Sequence, residues 1–264
     1  MIMICLEKNI YSFKYEKSFV SIFIGIFALA LEANPKLTWR DLQHLIVHSA
    51  RKVSPLDSGW QQNGAGLLVN EKFGFGSLDA KLLVDAARDP NWKTVDTLMT
   101  YTTPRQEIAL DFIPNFFTTL HSRITFDRET TGVCINKLEH VHAIVSLRLA
   151  RPSQYYSGPR SSRGKHSLTL TSPSGTVSEL LLQRPRDSTQ FQNDFAFKEW
   201  QFMTVFNWDE DPNGVWTLKI VDHAGSAWAN KLHFSWKLKL SGTCKPKAPK
   251  WATTHWDLLK NKET

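Results

Sequence analysis

The pattern of apolar and polar positions divides the chain into two textures. Residues 19–31 form an almost unbroken apolar run, interrupted only by Ser21 and Gly25. That run is too short for a membrane span of about 20 residues. A secretory leader would carry its charges in front and small residues at a cleavage site behind. Here the run ends at Glu32-Ala33-Asn34-Pro35, the texture of a helix stopping before proline, so a buried helix is expected, with a weak signal-anchor as the alternative. Thr38 and Asp41 stand at capping-box spacing, and Leu42, Leu45, Ile46 and Ser49 follow at intervals of three and four. They predict an amphipathic helix over 37–50. The turn-rich stretch 54–66 and the apolar trio Leu67-Leu68-Val69 come next. Phe73-Gly74-Phe75-Gly76 alternates aromatics with glycines but lacks a phosphate-loop spacing, which implies close backbone approach instead. A second helix is expected from Leu78 to Asp89, stopped by Pro90.

After Trp92 the period changes. Eight short apolar stretches, at 107–113, 122–127, 142–149, 166–173, 178–185, 200–208, 214–222 and 232–242, are separated by turn signals. Among the signals are Pro173-Ser174-Gly175, Asp211-Pro212-Asn213-Gly214 and His223-Ala224-Gly225. Period-two alternation shows at Leu168-Leu170 and at Phe234-Trp236-Leu238-Leu240. About eight strands with no helical period indicate an antiparallel sandwich or jelly roll. The boundary between the textures falls near 93–105. Residues 151–165, rich in Pro, Ser, Tyr, Gly and Arg, are expected as an exposed loop, and the lysine-bearing tail after Gly242 is expected to lie outside the domain.

Composition changes this picture little. A chain of 264 residues with 42% hydrophobic and 22% charged residues is globular, not disordered. Its 32 Lys+Arg against 25 Asp+Glu give +7, but no basic stripe lies on a periodic segment, so a nucleic-acid partner is not expected. Cys5, Cys134 and Cys244 are an odd number, from which no complete disulfide framework can be read.

The residues show little chemistry of their own. His44 and His48 have the spacing of a zinc helix, but Leu45 stands where the general-base glutamate would be, so a surface or packed pair is expected. His140 and His142 share one face of a strand without a third ligand, and structural roles are expected for both. Asp209-Glu210-Asp211 precedes Pro212-Asn213-Gly214 and reads as a solvated hairpin turn before a hard-cation site. No nucleophile elbow occurs, and no cysteine has a nucleophile's context. No catalytic, cofactor-binding or metal-ligating residue is assigned.

Longer blocks carry more. Gly25 to Val47, Trp60, Asn63-Gly64-Ala65-Gly66 and Phe73 to Ala87 together resemble the kexin-like proprotein convertases, a branch of the subtilisin-type serine endopeptidases. The resemblance resumes at Leu138-Glu139-His140-Val141, at 171–176, at 184–187, through Trp200-x-Phe202-Met203-Thr204, and over 208–220 and 240–243. These later blocks resemble the P, or Homo B, domain, and the first half is most similar to the neuroendocrine convertase subgroup. The resemblance implies a divergent segment at 1–24 and an α/β remnant of the peptidase domain at 25–95. It implies a jelly-roll P domain at 96–243 and a basic tail at 244–264. It also implies an Asp-His-Ser triad with the serine in G-T-S-x-x-x-P, and counting back from Gly25 puts that position at Lys17. Neighbouring Ser18 lacks the motif and faces elsewhere on a helix, and the Asp and His would lie upstream. The abrupt change at Gly25 reads as a splice junction or gene-model boundary.

For the full-length family the resemblance implies calcium dependence, cleavage of precursor proteins and prohormones after paired basic residues, and the secretory pathway. The chain alone is expected to be inactive, and docking to a convertase catalytic domain is the other partner implied. Residues 25–90, without the rest of a peptidase domain, are expected to be unstable or to dock on the sandwich, exposing Phe23, Ile26, Phe27 and Leu31. Where the family carries R-R-G-D this chain has Ser162-Arg163-Gly164-Lys165, so the sorting or integrin role of that motif is not expected. The usual partner of Cys134 is absent after Trp92. Cys134 is then free, or pairs with Cys244, or the 96–130 segment, which matches the family poorly, is mis-spliced.

Overall fold

The computed structural model describes residues 16–90, 92–110, 119–150, 163–187, 195–223 and 231–244. The expectations placed on 1–15, 151–162 and 245–264 lie outside those residues. Within them the chain divides into two units, one over 16–62 and 67–97, the other over 63–66 and 98–244.

The first unit is helical. Helix α1 spans Glu16–Ala33, α2 Trp39–Ser49 and α3 Ala80–Arg88. The predicted capping box opens α2: the Asp41 amide donates to Thr38 Oγ1 at 3.2 Å, and Asp41 Oδ2 accepts the Thr38 amide at 2.8 Å. Asp41 is fully buried, and its other oxygen accepts the Val95 amide at 2.8 Å, so one carboxylate fixes both the helix start and the stretch that leaves the unit. Ala30, Leu37, Leu45, Ile46, Leu83, Ala86 and Ala87 form the core, with Ile26, Phe27, Ala33 and Leu42 packed against it.

Two expectations need correction here. Helix α1 is buried along one face only: Ile22 and Ile24 are 58% and 61% exposed, and Leu29 and Leu31 are also open. Of the four side chains expected at the surface only Leu31 is exposed, while Phe23, Ile26 and Phe27 are half-buried. The helical period explains the last two, since positions 26, 27, 30 and 33 fall on one stripe. No helix among the described residues is long and apolar enough to cross a membrane.

The glycine-aromatic run behaves as expected. Asn70 and Gly74 exchange backbone hydrogen bonds, Trp60 stacks on Phe73 at 5.9 Å, and Ser77 bridges to Arg51. At Gly76, with φ of +123°, a Cβ would sit 2.1 Å from the Arg51 carbonyl oxygen, so only glycine fits. The short strands β1 (Gln61–Gln62) and β2 (Leu68–Val69) pair antiparallel.

The second unit is a pair of antiparallel sheets. Its strands are β3 (Met99–Thr102), β4 (Gln106–Leu110), β5 (Thr119–Phe126), β6 (Lys137–Ala150), β7 (His166–Thr171), β8 (Val177–Leu181), β9 (Phe195–Thr204), β10 (Gly214–Asp222) and β11 (Lys231–Thr243). One sheet runs β5-β10-β7-β8; the other runs β3-β11-β6-β9, with β4 also on β11. Strand β3 was not anticipated, because Met99-Thr100-Tyr101-Thr102 is too short and polar to stand out; its pairing with Leu240 and Ser241 of β11 creates it. A short helix, α4 (Arg128–Thr131), follows β5.

Alternate positions of the strands point inward. Phe126, Leu168, Leu170, Trp216, Leu218, Phe234, Trp236, Leu238 and Leu240 are buried in one core. Its polar atoms are satisfied: Trp236 Nε1 donates to Ser122 Oγ at 2.8 Å and Trp216 Nε1 to the Pro212 carbonyl at 3.0 Å. Cys134 and Cys244 are bonded, with Cα atoms 5.2 Å apart, which selects the second of the three possibilities open in the sequence. The register explains the proximity. Thr243 pairs with Lys137, and Asn136 donates to the Thr243 carbonyl at 3.0 Å, so the residues just beyond β11 and before β6 meet.

Candidate functional site

Residues 63–66 form a preorganised turn. The Gly66 amide donates to the Asn63 carbonyl at 2.9 Å, and the Ala65 amide donates to Asn63 Oδ1 at 3.0 Å, the local bonding that asparagine favours. This turn is seated in the second unit. Asn63 is 4% exposed, and its Nδ2 donates to the Phe206 and Trp208 carbonyls at 2.9 Å each. The Gly64 amide donates to Glu210 Oε1 at 2.8 Å and to Thr176 Oγ1 at 3.2 Å. A Cβ at position 64 would lie 2.2 Å from Ser174 Cβ, so the close approach requires glycine.

Two loops build the socket. The β7–β8 hairpin turn supplies Thr176, held by its amide on Ser172 Oγ at 3.2 Å and by the Ser172 amide on its carbonyl at 3.0 Å. The β9–β10 loop supplies Phe206, Trp208 and Glu210. Ser178 Oγ and Thr204 Oγ1 share a hydrogen bond of 2.9 Å, and Thr204 Oγ1 also accepts the Phe206 amide at 3.1 Å. Glu210 is 1% exposed. Its carboxylate accepts the Thr176 hydroxyl and, at 3.0 Å, Asn207 Nδ2, in addition to the Gly64 amide. Its carbonyl accepts the Leu138 amide at 3.0 Å. A buried carboxylate is tolerated where several donors replace its water, and these do so.

The reading of Asp209-Glu210-Asp211 as a solvated turn holds for the exposed Asp211 and fails for the two residues before it. Glu210 is interior, Asp209 adopts φ of +63° with its carboxylate 3.8 Å from Lys137 Nζ, and Asp211 pairs with Arg128. The run also does not fit the calcium that the family resemblance implies: its three carboxylates serve three separate sets of donors and do not converge. Nothing local in the sequence links position 63 to position 210. The one signal was the Asn-Gly-Ala-Gly string, readable as a turn but not as a seated one.

A second polar cluster lies on the face of the β3-β11-β6-β9 sheet that points away from the core. Glu199 sits at a bulge in β9, with φ of +48°. It pairs with Arg105 at 2.8 Å and Lys237 at 3.2 Å, and it accepts Ser146 Oγ at 2.9 Å. The Arg105 hydrogen bond first, then Ser146, holds its carboxyl at about 2, well below the ordinary 4.5. The same pairing raises the Arg105 guanidinium further above its usual value. Beside it, Glu107, Ser146, Arg148, His233 and Ser235 line a depression of about 240 Å³.

The other candidates have structural settings. His44 is buried and His48 half-buried one turn along α2, their rings stacked at 6.3 Å. His140 meets the Trp208 ring edge-on at 5.6 Å. His142 lies in the same row, its protonation disfavoured first by burial and then by Lys239 and His140. Position 17 falls in the first turn of α1. Arg163-Gly164-Lys165 is a single 3₁₀ turn, and Gly164 is buried against the 184–187 turn, whose Arg184 amide donates to its carbonyl at 2.7 Å.

Comparison with known proteins gives two family matches. Residues 159–240 match the proprotein convertase P-domain, and residues 24–76 match the subtilase family. A PC3-like endoprotease variant B of Hydra vulgaris is 41% identical over 211 residues, covering 80% of this chain and 27% of that protein. Endoprotease bli-4 of Caenorhabditis elegans is 38% identical over 232 residues, covering 84% and 22%. Human neuroendocrine convertase 2 is 37% identical over 221 residues, covering 83% and 32%. The chain thus spans between 22% and 32% of these relatives. Among solved structures, the serine protease of Aeromonas sobria in complex with its chaperone aligns with a TM-score of 0.63 at 19% identity, over 83% of this chain and 42% of that one. At that identity the likeness concerns the fold.

Proposed function

Since the chain belongs to the proprotein convertases of the subtilase family, we propose that it is the C-terminal portion of a calcium-dependent convertase, a serine endopeptidase processing precursor proteins and prohormones after paired basic residues. The observation that carries this reading is the succession, in one chain, of a subtilase match and a P-domain match. The chain alone does not cleave peptides. Acyl transfer needs an oriented nucleophile with a base beside it, and the position that the family resemblance gives to the serine holds Lys17. Incubating the 264-residue chain with a dibasic fluorogenic peptide should release no fluorophore above a no-protein control. Turnover abolished by a serine-directed inhibitor would sink that part of the reading.

The Cys134–Cys244 bond supports passage through the oxidising secretory pathway, where such bonds form and persist. Calcium, required by the parent enzyme on this reading, is held by residues other than the 209–211 run. The second reading is a non-catalytic module that docks on a full-length convertase. It is favoured by the socket, which seats a turn from the subtilase-matching stretch through Glu210, Thr176 and two carbonyls. Copurification of the chain with an active convertase, lost on Glu210→Ala, supports the module; no association at micromolar concentrations speaks against it.

A further inference from the structure

Asn63-Gly64 is a dipeptide of known chemical weakness. With no side chain on the glycine, its backbone nitrogen can attack the asparagine side-chain carbonyl carbon. The Gly64 N–Asn63 Cγ bond forms, the Cγ–Nδ2 bond breaks, and ammonia departs carrying the amide proton. Water then opens the succinimide ring at either carbonyl, leaving aspartate or isoaspartate.

In the seated turn each atom that this reaction uses is engaged. The nucleophile, Gly64 N, directs its hydrogen to Glu210 Oε1 at 2.8 Å and Thr176 Oγ1 at 3.2 Å. The leaving nitrogen, Asn63 Nδ2, donates to the Phe206 and Trp208 carbonyls. Asn63 Oδ1 accepts the Ala65 amide, a bond that would stabilise the charge it takes up, so the restraint falls on the two nitrogens. Bringing Gly64 N onto Asn63 Cγ requires the socket bonds of these two nitrogens to part, and Asn63 is almost wholly buried. Once the turn leaves its socket, nothing restrains the reaction. The product cannot return: a carboxylate only accepts hydrogen bonds, and at position 63 it would face two carbonyl oxygens that also only accept. Isoaspartate would in addition lengthen the backbone inside the turn.

We propose that Asn63-Gly64 is a modification site governed by seating: inert while the Glu210–Thr176 socket holds it, and converted irreversibly by succinimide chemistry when the turn is out, so that a chain which has stayed unseated is excluded from reseating. The site records, in covalent form, how long the turn has been free.

The experiment ages the full chain at mildly alkaline pH and follows Asn63 by peptide mapping with mass spectrometry. It is run on the folded protein, on the urea-unfolded protein, and on Glu210→Gln and Thr176→Val. Folding should slow Asn63 conversion at least about tenfold, since the reaction waits on local opening. Both variants should move it back towards the unfolded rate. If a variant fails to fold, the folded and unfolded parent chains still decide. Asn63→Asp should show rapid deuterium exchange at the Gly64 amide. Equal Asn63 rates in folded and unfolded chain, or a Gly64 amide as protected in Asn63→Asp as in the parent, overturns the proposal.

Discussion

Glu199 and His142 respond to acid at different depths of the pH scale. The Glu199 carboxyl is depressed to about 2, so its pairing contributes fully above about 4.5 and is lost as pH falls from there towards 2. Glu199→Gln should flatten that part of a plot of unfolding midpoint against pH. Because Glu199 is well exposed, added salt should shrink the difference. His142 has a folded-state value below its ordinary 6.5, so the unfolded chain binds the proton more readily. Stability should therefore decline as pH falls from 6.5 through the lowered value, and His142→Gln should remove that slope in a melting series. Glu210 is a different kind of residue. Glu210→Ala removes the carboxylate that accepts the Thr176 hydroxyl and Asn207 Nδ2, and one of the two acceptors of the Gly64 amide, in a buried place, and should cost about 3 kcal/mol in a denaturant titration. These residues were the least legible in the sequence. An acidic triplet before Pro-Asn-Gly carries the composition of a surface turn, and only the meeting of three distant segments makes its middle member interior.

Elements with a local signal were legible. Helix α2 could be placed because its cap lies within four residues of chain, and Thr38→Ala should cost about 1 kcal/mol, read as a drop in the unfolding midpoint of the helical unit. The long strands announced themselves by alternation, as β11 does through Phe234, Trp236, Leu238 and Leu240. What escaped was set by neighbours along the sheet and not along the chain. Strand β3 exists because β11 offers it a partner. The bulge at Glu199 exists because β6 and β9 slip register there. Helix α1 shows the opposite error: its apolar run reads as a buried helix, and the structure gives it a covered stripe and an open one.

At the scale of the molecule, the helical and sheet units each hold a core of their own. The sheet unit adds one covalent tie. Cys134 and Cys244 are separated by 110 positions in sequence, and constraining so long a loop in the unfolded chain should stabilise by about 4 kcal/mol. Cys134→Ser with Cys244→Ser should show that loss in urea unfolding of the sheet unit.

The same bond has a topological side. Between those two cysteines the chain is a closed ring, and among the described residues the strands β6 to β11 lie on it. A ring cut once is still one piece. A single proteolytic nick anywhere between them should therefore leave the mass of the protein together on a non-reducing gel and split it only after thiol treatment. Opening the ring this way moves the chain ends without removing a strand.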